Sequence, residues 1–229
     1  MTTILLSFLN CCVILVLRSC LYEGDYVMKA AIIIFLVVIV IFTVVIVTTP
    51  IKDVLVTSIK MFKDISEQNE MYREADIEEL IKLDDHDLYE AIGARLLSEI
   101  DFDNYEESFS ALNECEQTFW VVYEFDAEVL NGGLCQYFGN SQGRDFNRIV
   151  DDLNKIGAED YASLYSDFVK ENKIDAEEFK DGWNESWETS YNKYPYESFD
   201  DAFGKIYMEE KALDSYLAEY VRTNSEYFK

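Results

Sequence analysis

Apolar positions fall along this chain in two distinct patterns. Between residues 30 and 49 they are continuous: the run carries no charge, and fifteen of its twenty residues are Ile, Val, Leu or Phe. At ~1.5 Å per residue such a run spans ~30 Å as a helix, the thickness of a hydrocarbon core. On an insertion scale those apolar side chains contribute about −5 to −9 kcal/mol. A strand of that length exceeds what globular sheets use. The run is therefore expected to be a transmembrane helix, bracketed by Lys29 and Lys52 and stopped by Pro50. No small-residue cleavage site follows it, so a signal peptide fits less well. Residues 4–17 form a shorter apolar run, interrupted by Ser7, Asn10, Cys11 and Cys12. It reads either as a second, shallow helix or as sequence upstream of a start at Met28, with the latter slightly favoured.

After Lys52 the spacing becomes helical. Residues 51–71 are periodic enough for an amphipathic stalk. Residues 77–100 place apolar side chains at 77, 80, 81, 83, 88, 92, 96, 97 and 100, which predicts one helix. Asp76 is its expected N-cap, with Glu79 as capping-box partner. A second long helix is expected over 109–130, ended by Asn131-Gly132-Gly133. Further helices are expected over 134–138, 146–156 (with Gly157 as cap), 161–171, 175–189 and 199–220, with a turn at Ser141-Gln142-Gly143. Strand-like alternation is not sustained anywhere. The fold class is all-α, a compact multi-helix domain preceded by an N-terminal transmembrane helix. The expected organisation is a doubtful apolar segment over 1–27, the membrane helix over 28–50, a linker over 51–75 and an acidic helical domain over 76–229.

Charge adds function to this outline. The chain has 45 acidic and 19 basic residues, a net charge of −26, yet residues 1–63 carry a net +2 and the remainder a net −28. Lys52, Lys60 and Lys63 outweigh Arg18 and Lys29, so the positive-inside bias places the acidic domain in the cytoplasm. The acid excess argues against direct binding to nucleic acid, whose phosphates would be repelled. A single histidine argues against a histidine-based catalytic or metal centre. Gly132-Gly133 belongs to no dinucleotide or P-loop pattern, so no cofactor is expected. Asp84-Asp85-His86-Asp87 superficially suggests a metal cluster, but adjacent helical residues point in different directions, and an acidic turn or helix face explains it better. Cys115 and Cys135 are isolated and read as small buried side chains. No enzymatic activity is expected.

Regular rows of carboxylates are more informative. Asp64, Glu67, Glu70, Glu74 and Glu78 are spaced by 3, 3, 4 and 4, which on one helix gives a single face. Glu171, Asp175 and Glu178 form a shorter row, as do Asp181, Glu185 and Glu188. Like charges at such spacing cost a few tenths of a kcal/mol per pair, which the fold must offset. DNA also presents regular negative charge, one per ~3.4 Å on each strand. Rows of carboxylates could therefore meet a basic surface made for phosphates.

Residues 124–143 read EFDAEVLNGGLCQYFGNSQG. Asn131, Gly132, Gly133, Leu134, Gln136, Tyr137, Phe138, Asn140 and Gly143, followed by Ile156-Gly157-Ala158, resemble a family of small acidic DNA-mimic proteins over roughly residues 75–220. Leu134 stands where Phe is usual. The resemblance implies an all-helical fold, no enzyme activity, dimers in some members, and binding to a DNA-binding protein through negative surface. Physically, Asn131, Gly132, Gly133, Gln136, Tyr137 and Asn140 look structural: the glycines permit positive φ, the amides satisfy backbone groups at the turn, and Tyr137 packs on the core. The expected partner is a basic DNA-binding protein, or alternatively a basic toxin or nuclease neutralised by an immunity protein. Membrane contact is expected through residues 30–49, and a homodimer is possible.

Overall fold

Ten α-helices and three short 3-10 turns, with no strand, make up the described residues of the computed structural model, which are 51–180 and 187–228. The expected membrane helix, the segment before it and the cysteines at 11, 12 and 20 lie outside the described residues. Within them, no helix is long and apolar enough to cross a membrane. The chain divides into two units, Met1–Ser66 and Glu67–Lys229. The boundary falls inside α1, Ile51–Glu74.

The second unit is built around one helix. α5, Glu114–Ser141, buries Phe119, Trp120, Val121, Val122, Phe125, Val129, Leu134, Tyr137 and Phe138, so apolar side chains point out in every direction. A helix that is apolar all round must be surrounded. Around it pack α3 (Asp85–Leu97), α6 (Ile149–Lys155), α9 (Tyr196–Glu209) and α10 (Leu213–Thr223). α7, Glu159–Asn172, packs on α6 and α9. These outer helices are one-sided. α9 offers Tyr196, Phe199 and Phe203, and α10 offers Leu213, Leu217, Ala218 and Val221. The core is rich in rings. Phe125 meets Tyr137, Tyr165 and Phe203 edge-on at 5.0, 5.9 and 5.8 Å between centroids. Each such buried ring contributes roughly 1.5–3 kcal/mol by burial, and edge-to-face pairing adds specificity.

Several expected helices are split, and each split has an identifiable cause. The segment 77–100 is α2 (Ile77–Leu80) and α3, separated at Ile81–Asp84. Asp76 caps α2 by accepting from the Glu78 amide. Asp84 caps α3 by accepting from the Asp87 amide. The carbonyls freed by the break are satisfied from far along the chain: Arg222 donates to Ile81 O at 3.1 Å and Leu83 O at 2.8 Å, and pairs with Asp85 at 2.6 Å. The segment 109–130 is split between α4, Tyr105–Ala111, and α5. The complete capping box lies here and not at Asp76: Asn113 accepts from the Glu116 amide while Glu116 accepts from the Asn113 amide. The segment 199–220 divides at Glu210, whose φ of −116° and ψ of −94° are not helical. In 175–189 the described parts are a 3-10 turn, Ala176–Phe179, and α8, Trp187–Tyr191. Gly157 takes φ +83° after α6, as expected of a glycine cap.

Candidate functional site

The glycine signature is a break inside α5 and not its end. Gly132 has φ −153° and ψ 20°, and Gly133 has φ 79° and ψ 177°, after which the helix resumes to Ser141. The resumed segment needs a cap at its first amide. Asp200 of α9 supplies it, accepting from Leu134 N at 2.9 Å. A Cβ on Gly133 would overlap that carboxylate, so both the positive φ and the close approach require glycine. Burial pushes the Asp200 carboxyl up, against the Leu134 amide. It also pushes the neighbouring Cys135 thiol up to about 12, with Asp200 adding to the effect.

The signature amides were expected to bond backbone groups at the turn; two of them instead bond a carboxylate. Gln136 Nε2 donates to Glu128 Oε2 at 2.7 Å, and Asn140 Nδ2 donates to the same oxygen at 2.8 Å. Tyr137 is buried against Phe125, and Asn131 is exposed. Glu128 and Asp200, the two carboxylates that brace the kink, carried no sequence signal beyond their charge.

Below α5 lies a polar layer that takes up cations. Arg144 pairs with Glu124 at 2.7 Å and lies 4.0 Å above the Tyr105 ring. Asp152, 1% exposed, accepts from Arg148 at 2.6 Å, Thr118 at 2.9 Å and Lys155 at 3.2 Å. Asp145 sits beside them, and burial, reinforced by Glu124 and offset by Arg144 and Arg148, pushes its carboxyl up to about 6. Elsewhere Lys180 pairs with Glu177, Lys193 with Glu178, Lys211 with Glu219, and Arg222 with Asp85. Local carboxylates thus occupy much of the positive charge, and the acidic exterior keeps its sign.

The predicted rows fare differently. α1 carries Asp64, Glu67, Glu70 and Glu74, all exposed; Asp64 belongs to the first unit, and Glu67, Glu70 and Glu74 share one face in the second. Glu78 is exposed too but belongs to α2, because the extended Asp76 interrupts the helix before it. Glu171, Asp175 and Glu178 are not one row. Lys173, at φ 52°, ends α7, Asp175 is occupied in capping the next turn, and Glu178 holds Lys193 and Tyr194. Glu171 instead continues a face with Asp160 and Asp167, at spacings of 7 and 4 along α7, and all three are exposed and join no ion pair among the described residues. The signal for that row was present in the sequence, one helical period upstream. Asp181 and Glu185 lie outside the described residues, as does the side chain of Glu188. The Asp84–Asp87 stretch is divided among tasks: Asp84 caps, Asp85 holds Arg222, and His86 Nδ1 lies 3.3 Å from Asp214. Among the described residues, no group of three His, Cys, Asp or Glu is arranged to hold a metal ion.

Comparison with known proteins places this architecture. No curated protein and no solved structure matches the chain. The family model described as DMP19-like protein matches residues 110–224, a span that begins near the end of α4 and runs through α10. That span is half of the chain and contains the glycine break, the polar layer and the α7 face; the chain belongs to the DMP19-like, DNA-mimic family.

Proposed function

We propose that this protein is a membrane-anchored DNA mimic. Its acidic helical body occupies the basic surface of a DNA-binding protein, residues 30–49 hold it in a bilayer, and the body faces the cytoplasm. Its work is binding and not catalysis. Family membership supports the mimicry, and the observation that carries it is the disposition of charge. Arg144, Arg148, Lys155, Lys193 and Arg222 are tied to carboxylates of the fold, while Asp160, Asp167 and Glu171 on α7 stay exposed and unpaired. Glu67, Glu70 and Glu74 give α1 a second acidic face. Carboxylates three or four residues apart, as at 67, 70 and 74 and at 167 and 171, stand ~5–6 Å apart, and Asp160 lies ~10 Å from Asp167, close enough to engage successive Lys and Arg side chains in a groove shaped for phosphates.

The test is competition. The full chain in detergent should capture basic DNA-binding proteins from its own lysate at low salt, and duplex DNA should displace them. Affinity should fall steeply as salt rises, because screening weakens the attraction that drives encounter. Binding that is indifferent to both salt and DNA would overturn the reading. Selective capture of one nuclease through its active site would replace it with toxin neutralisation.

A further inference from the structure

One carboxyl buried in the second unit is poorly satisfied. Asp126 on α5 is 1% exposed, neither of its oxygens has a donor in good hydrogen-bond geometry, and the Tyr89 hydroxyl is the one donor close enough to act on it. Buried polar groups are nearly always hydrogen-bonded, and an unpaired buried charge is costly. The groups around it come from every neighbouring element. His86, Tyr89 and Glu90 face it from α3, Tyr161 from α7, Tyr207 from α9, Asp214 from α10 and Tyr123 from its own helix. Glu90 and Asp214 oppose its charge from two sides. His86, of opposite sign only when protonated, is largely exposed and directed to Asp214. Burial is the main influence holding the Asp126 carboxyl up at about 7; the Tyr89 hydroxyl and His86 offset only part of it.

The element beside it lacks a side-chain cap at that end and is held there by the buried Leu213, by His86 beside Asp214 and by Lys211 paired with Glu219. Ala212, the residue before α10, provides no side-chain cap, and Asp214 lies in the helix's first turn. The link from α9 passes through the non-helical Glu210 and is held by the Tyr161 hydroxyl donating to Lys211 O at 2.9 Å. The other end of α10 is secured by Arg222 on the α2–α3 break. A charge on Asp126 therefore acts on the uncapped end, against the packing of Leu213.

We propose that Asp126 is a proton-controlled latch for the start of α10. When the carboxyl is neutral, the first turn of α10 seats against α3 and α5. When it ionises, repulsion from Asp214 and Glu90 and the pull of water favour lifting of the α9–α10 junction. The sign follows from linkage. The closed form binds the proton more tightly than an open form with an ordinary carboxyl, so opening grows by up to tenfold per pH unit between about 4 and 7 and levels off above. The device needs no partner and stands apart from the proposed mimicry.

Hydrogen exchange of the full-length chain in detergent, corrected for intrinsic exchange chemistry, tests it. Protection of backbone amides at 210–216 should fall at least tenfold from pH 5 to pH 7 and change little above. Asp126→Asn should keep them protected throughout with no step. Asp214→Asn, which removes one repelling charge, should shrink the step and shift its upper end to lower pH, and this gives a second variant if the first does not fold. Asp145→Asn, in the polar layer, should leave the step in place. Wild-type protection that is the same at pH 5 and pH 7, or an Asp126→Asn protein that retains the wild-type step, would overturn the proposal.

Discussion

Two glycines with nearly the same backbone angle separate two kinds of constraint. Gly133 has φ +79° and faces the Asp200 carboxylate, whereas Gly157 has φ +83° with nothing near its missing Cβ. Gly157→Ala should cost about 1 kcal/mol, the strain of a left-handed alanine. Gly133→Ala should cost about 2 kcal/mol or more, since alanine there also displaces the cap of Leu134. Denaturant unfolding of the two variants measures both, and equal losses would show that Asp200 is not a tight neighbour. The sequence marked Gly132-Gly133 as a helix terminator, because glycine's permissiveness is a local property. That the helix resumes was not legible, because its new first amide is capped by Asp200, 66 residues away.

The elements of this protein are defined by their caps. Asn113→Ala removes the capping box of α5 and should lower stability by about 1 kcal/mol. Arg222→Met keeps the length of the side chain but leaves Ile81 O and Leu83 O without their donor, and should cost about 1–3 kcal/mol. Exchange should then rise first in α2 and the break that follows it. A loss spread evenly over the chain would argue against Arg222 as the fastening of that break. Helix spacing located the apolar faces of α3, α5, α7, α9 and α10 but ran across three of the breaks. Periodicity survives a short interruption, and the groups that stabilise each interruption, Asn113 among them, look like ordinary polar residues in sequence.

At the scale of the molecule, two opposing carboxylate populations set the response to pH. Asp126 and Asp145 titrate near 7 and 6 in the fold, above the ordinary carboxyl value, so the stability of their neutral forms is present below about 4 and is lost as pH rises through those values. Asp85 runs the other way: the Arg222 hydrogen bond holds its carboxyl low, and that stability is lost as pH falls through its folded value. Maximum stability should therefore lie at acidic pH, near 4, and the melting temperature should decline toward pH 7.5. A chain of net charge −26 should also melt higher as salt screens its self-repulsion, while its hold on a basic partner weakens. Thermal scans and binding isotherms over one salt series check both signs. If stability and affinity rise together with salt, charge is not what the exterior contributes.

Spacing was enough to determine that this chain is helical and where most of its apolar faces lie, and composition that its body is strongly acidic, since period and charge are written into each segment. Family resemblance was readable in residues 124–143 for the same reason. Tertiary structure decided where helices break, which carboxylates remain outside and unpaired, and that Asp126 is enclosed among like charges. Those outcomes depend on groups brought together from distant segments, as Asp200 is to Leu134 and Arg222 is to Ile81, and the energy of an ionised side chain is set by that company and its access to water.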